Sequence, residues 1–291
     1  MAHKSGFVNI IGSPNVGKST LMNQLVGERL SIITSKSQTT RHRITGIVNS
    51  EDYQIVFSDT PGVLDPNYKL HENMMGYVNS AMKDADIILF VTDIYETKVN
   101  HEVTLERLKK TSIPVLVLLN KIDQGNQEIL EEKIAHWKNE LPNSNVYPIS
   151  ALEGFGLEPV WDFIHTTLPE NPPYYDKDEL TDRPMRFFIS EMIREKIFET
   201  YKKEIPYATQ VVVDEYKEEE DIVRIMATIF VERNSQKGII IGHQGKKIKH
   251  VGIKSRQLIE KFIEKKVFIE LRVKVDDNWR SNDRKLESFG Y

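Results

Sequence analysis

A chain of 291 residues, 40% of them hydrophobic and 28% charged, is long enough for two domains that each bury a core. It has no cysteine, which excludes disulfides, thiolate metal sites and a cysteine nucleophile, and argues against zinc. The net charge of −4 hides an asymmetry: residues 234–285 hold 14 Lys and Arg against 6 Asp and Glu, a local +8, while the remainder carries 25 basic against 37 acidic residues, or −12.

No apolar run approaches the roughly 18 residues of a membrane span. Residues 1–6 lack the apolar stretch of a signal peptide, so a cytosolic protein is expected. Phe7–Ile11 is an apolar run that predicts a buried strand, and Thr20–Val26 carries a helical pattern. Between them, Gly12-Ser13-Pro14-Asn15-Val16-Gly17-Lys18-Ser19 has the spacing G-x-x-x-x-G-K-[ST] of a phosphate-binding loop. The two glycines let the backbone curl so that its N–H groups converge on a phosphate at the positive end of a helix. Asn15, Val16, Gly17, Lys18, Ser19 and Thr20 are then the candidate phosphate cradle. Lys18 would meet the β- and γ-phosphates as a point charge, and the Ser19 hydroxyl would ligate Mg²⁺. Taken alone, the pattern also fits a Gly-Pro turn between a strand and a helix.

Further strand-like runs lie at Ile44–Asn49, Tyr53–Ser58, Ile87–Thr92, Val115–Leu119 and Val146–Ile149, the first two joined by the hairpin-length Ser50-Glu51-Asp52. Helical patterns fall at Lys69–Lys83, Val99–Lys110, Gln127–Glu140 and Leu157–Thr167. This alternation predicts an α/β domain: a mixed, mostly parallel six-stranded sheet with one antiparallel hairpin and helices on both faces. Ligands sit at the carboxyl ends of such strands. Asp59-Thr60-Pro61-Gly62 follows the third run, where Asp59 can hold the Mg²⁺ shell and Gly62 can offer its N–H to a γ-phosphate; by itself it is an ordinary turn signal. Asn120-Lys121-Ile122-Asp123 follows the fifth. The Asp123 carboxylate can accept from the N1–H and N2 amino group of guanine, whereas adenine would leave it buried and unpaired. Ser150-Ala151 follows the sixth, where a backbone N–H can meet the guanine O6. Four such elements, in this order and each ending a predicted strand, point to a guanine nucleotide.

These residues resemble those of the translation-factor-related P-loop GTPases. The loop G-x-P-N-V-G-K-S, together with Ser37-Gln38-Thr39-Thr40-Arg41-His42-Arg43, resembles the Era family. The resemblance implies GTP or GDP with Mg²⁺ held by Ser19, Thr40 and Asp59, Thr40 reaching the metal in the GTP state with Thr39 beside it. Thr39, Thr40, Asp59, Thr60, Pro61, Gly62 and Val63 are then switch residues. Val63 stands where Ras-like GTPases carry a water-orienting glutamine, and an apolar side chain cannot orient water, so slow or assisted hydrolysis is expected. Related GTPases with a hydrophobic residue here use a K⁺ ion held partly by the loop asparagine, which makes Asn15 a candidate K⁺ ligand.

Leu168–Tyr175, running on to Asp182-Arg183-Pro184, is rich in proline and charge and reads as a semi-rigid linker over about residues 168–184. It separates an expected domain 1–175 from an expected domain 176–291. In the latter, a helical pattern at Met185–Lys203 precedes strand patterns at Ala208–Tyr216 and Ile222–Val231. A helix at Ser235–Ile241, the turn Gly242-His243-Gln244-Gly245, a helix at Lys246–Glu264 and a strand at Val267–Val275 complete it. The order matches an α+β KH domain of the bacterial type II topology, whose G-x-x-G turn holds a few nucleotides by their backbone beside an apolar groove. A G-x-x-G alone also fits a tight helix–helix turn. Here it lies inside the +8 block, which suggests a polyanionic partner, with Lys246, Lys247, Lys249, Lys254 and Arg256 after it. His243 and Gln244 are less basic than many relatives show at these positions.

Val231–Gly238 and Lys274–Arg280 also resemble Era segments, so the resemblance spans nearly the whole chain. It implies a monomeric GTPase, hydrolysing GTP to GDP and phosphate, that binds the 3′ end of 16S rRNA during assembly of the 30S subunit. It further implies a cytoplasmic protein with peripheral contact at the inner membrane face. The alternative is an RNA-binding assembly factor whose nucleotide site is structural and turns over negligibly.

Overall fold

The structure is a computed structural model that describes residues 3–96 and 102–291. The chain divides into two compact units, one of residues up to Asp182 apart from Tyr68–Leu70, the other of Tyr68–Leu70 with Arg183–Tyr291. In the first unit, β1 (Lys4–Gly12), β2 (Ile44–Asn49), β3 (Tyr53–Asp59), β4 (Ile87–Asp93), β5 (Val115–Asn120) and β6 (Asn145–Pro148) form one sheet in the order β2-β3-β1-β4-β5-β6. β2 pairs antiparallel with β3, and every other pair is parallel. β4 and β5 are buried at every residue, as strands covered on both faces require.

The covers are α1 (Lys18–Val26), α2 (Lys69–Asp84), α3 (Glu102–Lys110), α4 (Gln127–Glu140) and α5 (Glu158–Thr167). On one face Val78 of α2, Leu108 of α3 and Trp137 of α4 pack with Phe90, Val117 and Leu119. Phe90 and Trp137 meet edge to face with centroids 5.2 Å apart, an arrangement worth about 0.5–1.5 kcal/mol beyond the area buried. On the other face Trp161 of α5 meets Phe57 at 5.8 Å, and Met22 and Val26 of α1 lie against Gly46. The helix expected from Val99 is described from Glu102; Val99 itself lies outside the described residues.

Residues 168–182 are bound more closely than a linker running over the surface would be. Ser5 N–H donates to Pro169 O, Tyr174 and Tyr175 N–H both donate to the buried Gln54 Oε1, and Ile47 N–H donates to Leu180 O. Edge strand β2 thus has an outward N–H satisfied by this strap. It places residues 176–182 with the first unit.

The second unit holds α6 (Met185–Thr200), β7 (Gln210–Glu218), β8 (Ile222–Val231), α7 (Asn234–Ile241), α8 (Lys246–Ile263), β9 (Lys266–Val275) and α9 (Asp283–Ser288). Its sheet runs β7-β8-β9, with β7 antiparallel and β9 parallel to β8. Alternate β8 residues Val223, Ile225, Ala227, Ile229 and Val231 are buried, the period-two signature of a half-covered sheet. α6 stops three residues short of the expected Lys203 because the chain turns there, Lys203 having φ +54°. Pro206–Ala208 form a short 3-10 turn, which moves the start of β7 from the expected Ala208 to Gln210.

Candidate functional site

At the end of β1, Gly12 has φ +155° and a Cβ there would lie 2.0 Å from Val91 O. Gly17 has φ +102°, and its Cβ would lie 2.2 Å from Asn120 Nδ2. Both positions therefore exclude side chains for conformational and steric reasons together. The room at Gly17 is taken by Asn120, whose Nδ2 donates to Val16 O at 2.7 Å and whose Oδ1 accepts from Ala151 N–H at 2.9 Å. One side chain thereby pins the phosphate loop to the loops after β5 and β6.

Lys18 is buried and donates to Gly12 O at 2.9 Å and Ser13 O at 2.8 Å. Burial lowers its pKa to about 8, with the Asp59 and Glu96 carboxylates opposing. Ser19, which opens α1 with Lys18, donates to Asp59 Oδ2 at 2.7 Å and lies 2.9 Å from Thr40 Oγ1. Thr40 also donates to Asp59 Oδ2, at 3.3 Å. Burial pushes the Asp59 carboxyl up, opposed by Lys18 and by these hydroxyls. The other carboxylate oxygen, Oδ1, is buried and makes no hydrogen bond. Thr39 instead stays within its own loop, donating to Lys36 O at 2.7 Å.

Thr60 donates to Ile10 O at 2.7 Å, and Pro61 and Gly62 are buried beside the phosphate loop. A Cβ on Gly62 would lie 2.7 Å from Pro14 Cα. Val63 N–H donates to Gly12 O, but its side chain is 0% exposed and packs in the core with Ile11 and Phe90. Asn15 has φ +64°. Oriented so that both ends of its amide are satisfied, it donates to Lys36 O at 2.7 Å and accepts from Ser37 N–H at 3.2 Å.

On the base side, Asp123 Oδ1 accepts from Ser150 Oγ at 2.6 Å, and Lys121, at φ +63°, pairs with Asp93 at 2.6 Å. Asn15, Gly17–Thr20, Thr39, Thr40, Gly62, Asn120, Lys121 and Asp123 line one cavity of about 440 Å³. Its remaining walls include Ile32, Ile33, Gln124 and Leu152, which no motif marks. Glu96 is a further unmarked member of the surroundings. It accepts from Ser13 and from Thr92, the latter at 2.7 Å, and burial raises its pKa.

In the second unit Gly242 and Gly245 have φ +70° and +73°, and Gln244 between them has φ +51°. A Cβ on Gly242 would lie 2.7 Å from Lys247 Cγ, whereas Gly245 has open space around it. His243, Gln244, Lys246, Lys247 and Lys249 are exposed, and no side chain caps the start of α8. Its first-turn N–H groups thus face outward with their partial positive charge. Beside the turn, Ile248, Gly252 and Ile253 of α8 and Val267, Ile269 and Leu271 of β9 line an apolar groove of about 300 Å³, with Lys249 and Arg256 also on its wall. These strand residues were legible only as a strand, because the groove exists once β9 lies beside α8.

Residues 7–121 match the family of 50S ribosome-binding GTPases, and residues 204–280 match the KH domain family. The chain is 46% identical to GTPase Era of Geotalea uraniireducens, covering 99% of this chain and 98% of that one. It is 44% identical to GTPase Era of Staphylococcus haemolyticus, with 99% and 97% covered. It superposes with a TM-score of 0.94, at 36% identity and 99% coverage of both chains, on a crystal structure of Era in complex with MgGDPNP and nucleotides 1506–1542 of 16S ribosomal RNA. An Aquifex aeolicus Era variant bound to GDP and AlF₄⁻ gives 0.93, with 35% identity and 99% of both chains covered.

Proposed function

The chain belongs to the GTPase Era family, and from that premise we propose that it is a GTP-hydrolysing switch that binds the 3′ end of 16S rRNA and assists assembly of the 30S subunit. The observation that carries the enzymatic part is a single cavity lined by the phosphate loop, Ser19, Thr40 and Asp123, with the buried Asp59 carboxylate hydrogen-bonded behind Ser19 and Thr40. The RNA part is supported by the exposed basic G-x-x-G turn and its apolar groove, and by the rRNA bound to the Era relative.

The cluster suits Mg²⁺: two hydroxyls and one carboxylate are hard oxygen donors, few enough to leave places for phosphate oxygens and water. Asp59 Oδ1, buried without a hydrogen bond, has the character of a ligand atom. When bound, Mg²⁺ would be held by Ser19, Thr40 and Asp59 and would supply positive charge that neutralises the charge developing on the phosphates. Lys18 would leave the loop carbonyls for the phosphates, and Gly62 N–H would donate to the γ-phosphate. Asp123 would read guanine, with Lys121 alongside and the Ala151 N–H region at O6. Thr39 and Thr40, together with Asp59 through Val63, would change order with the γ-phosphate.

Val63 lies in the core, so the attacking water needs another positioning group and intrinsic turnover is slow. Asn15 lines the phosphate cavity, and the family resemblance makes it a K⁺ ligand there; its amide oxygen, which now accepts from Ser37 N–H, would turn from that partner to the ion. Hydrolysis is expected to run on the order of tenfold faster in K⁺ than in Na⁺ buffer, about 1.4 kcal/mol of barrier. Equal rates would remove Asn15 as a cation ligand.

The burial of Val63 also favours a second reading, an RNA-binding assembly factor with a structural nucleotide site. Measured GTP turnover with and without the 3′ rRNA segment separates the two, because only a switch is accelerated. Gly242→Asp with Gly245→Asp puts like charge where phosphates approach, and should lower rRNA affinity at least about tenfold while basal GTP turnover persists. Retained affinity would refute the role of the turn. The reading includes a cytoplasmic monomer. It also keeps a peripheral contact with the inner membrane face, on the family resemblance alone; no helix among the described residues is long and apolar enough to cross a membrane.

A further inference from the structure

The groove beside the G-x-x-G turn is not the only basic recess near it. Lys247 lies two residues before Lys249, about 200° around α8 at 3.6 residues per turn, and so points away from the groove. There it borders a second recess of about 480 Å³, closed by Thr200–Ile205 of the α6–β7 turn and by Ile239 of α7. Tyr201 is its floor: the ring is 2% exposed, its hydroxyl donates to Ile240 O at 2.6 Å, and Lys247 Nζ sits 5.9 Å from the ring centroid. Burial pushes that hydroxyl up to about 12, so it stays a neutral donor at physiological pH.

Lys202, Lys203 and Lys247 surround the opening against one acid, Glu204. Among the described residues none of the three lysines forms an ion pair, whereas Lys196, Lys265 and Lys285 of the same unit do. Lys203 is also held at φ +54°, which only a few per cent of non-glycine residues adopt and which is costly unless its surroundings fix it. Ile239, 42% exposed, adds an apolar surface for a ribose or a base face.

Resting on the RNA-binding reading above, we propose that this recess holds phosphates of the RNA nucleotides flanking those in the turn and groove. The RNA path then continues around the G-x-x-G turn, and Lys202 and Lys203 contact about two phosphates beyond the four or so nucleotides that a KH turn and groove accommodate.

The test uses the full chain and an RNA matching nucleotides 1506–1542 of 16S rRNA, the segment bound by the Era relative. Truncation of that RNA from each end defines the shortest piece that still binds, and which end supplies the flank. Lys202→Gln with Lys203→Gln is expected to weaken binding of the long RNA about tenfold. The slope of log K against log salt should flatten by about 1.4, two phosphates at 0.7 each for a single strand. Binding of the shortest RNA should stay within about twofold. Both lysines are exposed, so an unchanged melting temperature accompanies the expected result. Unchanged affinity for the long RNA, or an equal loss on both RNAs, overturns the proposal. If the unaltered protein bound neither RNA, the RNA-binding reading itself would fall and take this inference with it.

Discussion

Lys18→Ala is expected to lower kcat/KM for GTP on the order of 10²–10³-fold, the loss that follows removal of one preorganised donor at a developing charge. The fold should survive. Lys18 is buried at a desolvation cost, and its two loop carbonyl partners lose a donor when it goes, so the two effects on stability oppose each other. A melting temperature within a few degrees of the parent, alongside lost turnover, is the expected pair of measurements; near-parental turnover would dismantle the site assignment. The pH dependence has a definite sign. Lys18 titrates near 10.5 when unfolded and about 8 when folded without nucleotide. Between those values the unfolded chain binds more protons, so this group makes the nucleotide-free fold more stable as pH rises through the window. GTP acts in the opposite sense, because its phosphates select the ammonium form. Affinity should therefore hold below about pH 8 and fall above it, and Lys18→Ala should remove that component. A parental affinity that is flat from pH 7 to 9.5 would contradict it.

Asp123→Asn is expected to exchange guanine for xanthine. Two hydrogen bonds to a carboxylate, at about 1.5–3 kcal/mol each, set a preference on the order of 10²–10⁴-fold. The structure indicates why the replacement should invert it. Ser150 Oγ donates to Asp123 Oδ1 at 2.6 Å, and Glu153 N–H donates to that same hydroxyl at 3.3 Å. An asparagine that keeps the Ser150 bond must offer its oxygen to the hydroxyl. Its amino group then faces the base, where xanthine presents an oxygen and guanine presents another donor. Competition between GTP and XTP for the variant checks this, and a retained preference for GTP would sink the base-reading role.

The motifs were legible because each is local. Gly12 through Ser19 needs only its own spacing to be seen, and the strand runs before Asp59, Asn120 and Ser150 placed those residues at one edge of a parallel sheet. What escaped was decided by distant partners. Ile33 and Leu152 wall the cavity from two loops that meet only in the folded domain. Glu96 acquires its place through Ser13, 83 residues earlier. The helical pattern expected over Met185–Lys203 accounts for the buried Phe188, Met192, Ile193, Ile197 and Tyr201. It gave no sign that Glu191 and Arg194 are buried too, paired three residues apart on the same helix. α9 spans only six residues, too few for a periodic pattern to register.

Residues 168–182, which bind β1, β2 and Gln54, have a consequence for how the protein is made. Ser5 Oγ donates to Pro172 O, 167 residues downstream, and Asn49 Nδ2 donates to Glu179 O, 130 residues on. Synthesis proceeds from the other direction. At 5–20 residues per second, the first strand waits on the order of ten seconds for the segment that seals it. Throughout that interval β2 presents an open edge to other nascent chains. The domain that reads the nucleotide cannot be finished until Asp182 has left the exit tunnel of the machine that translated it.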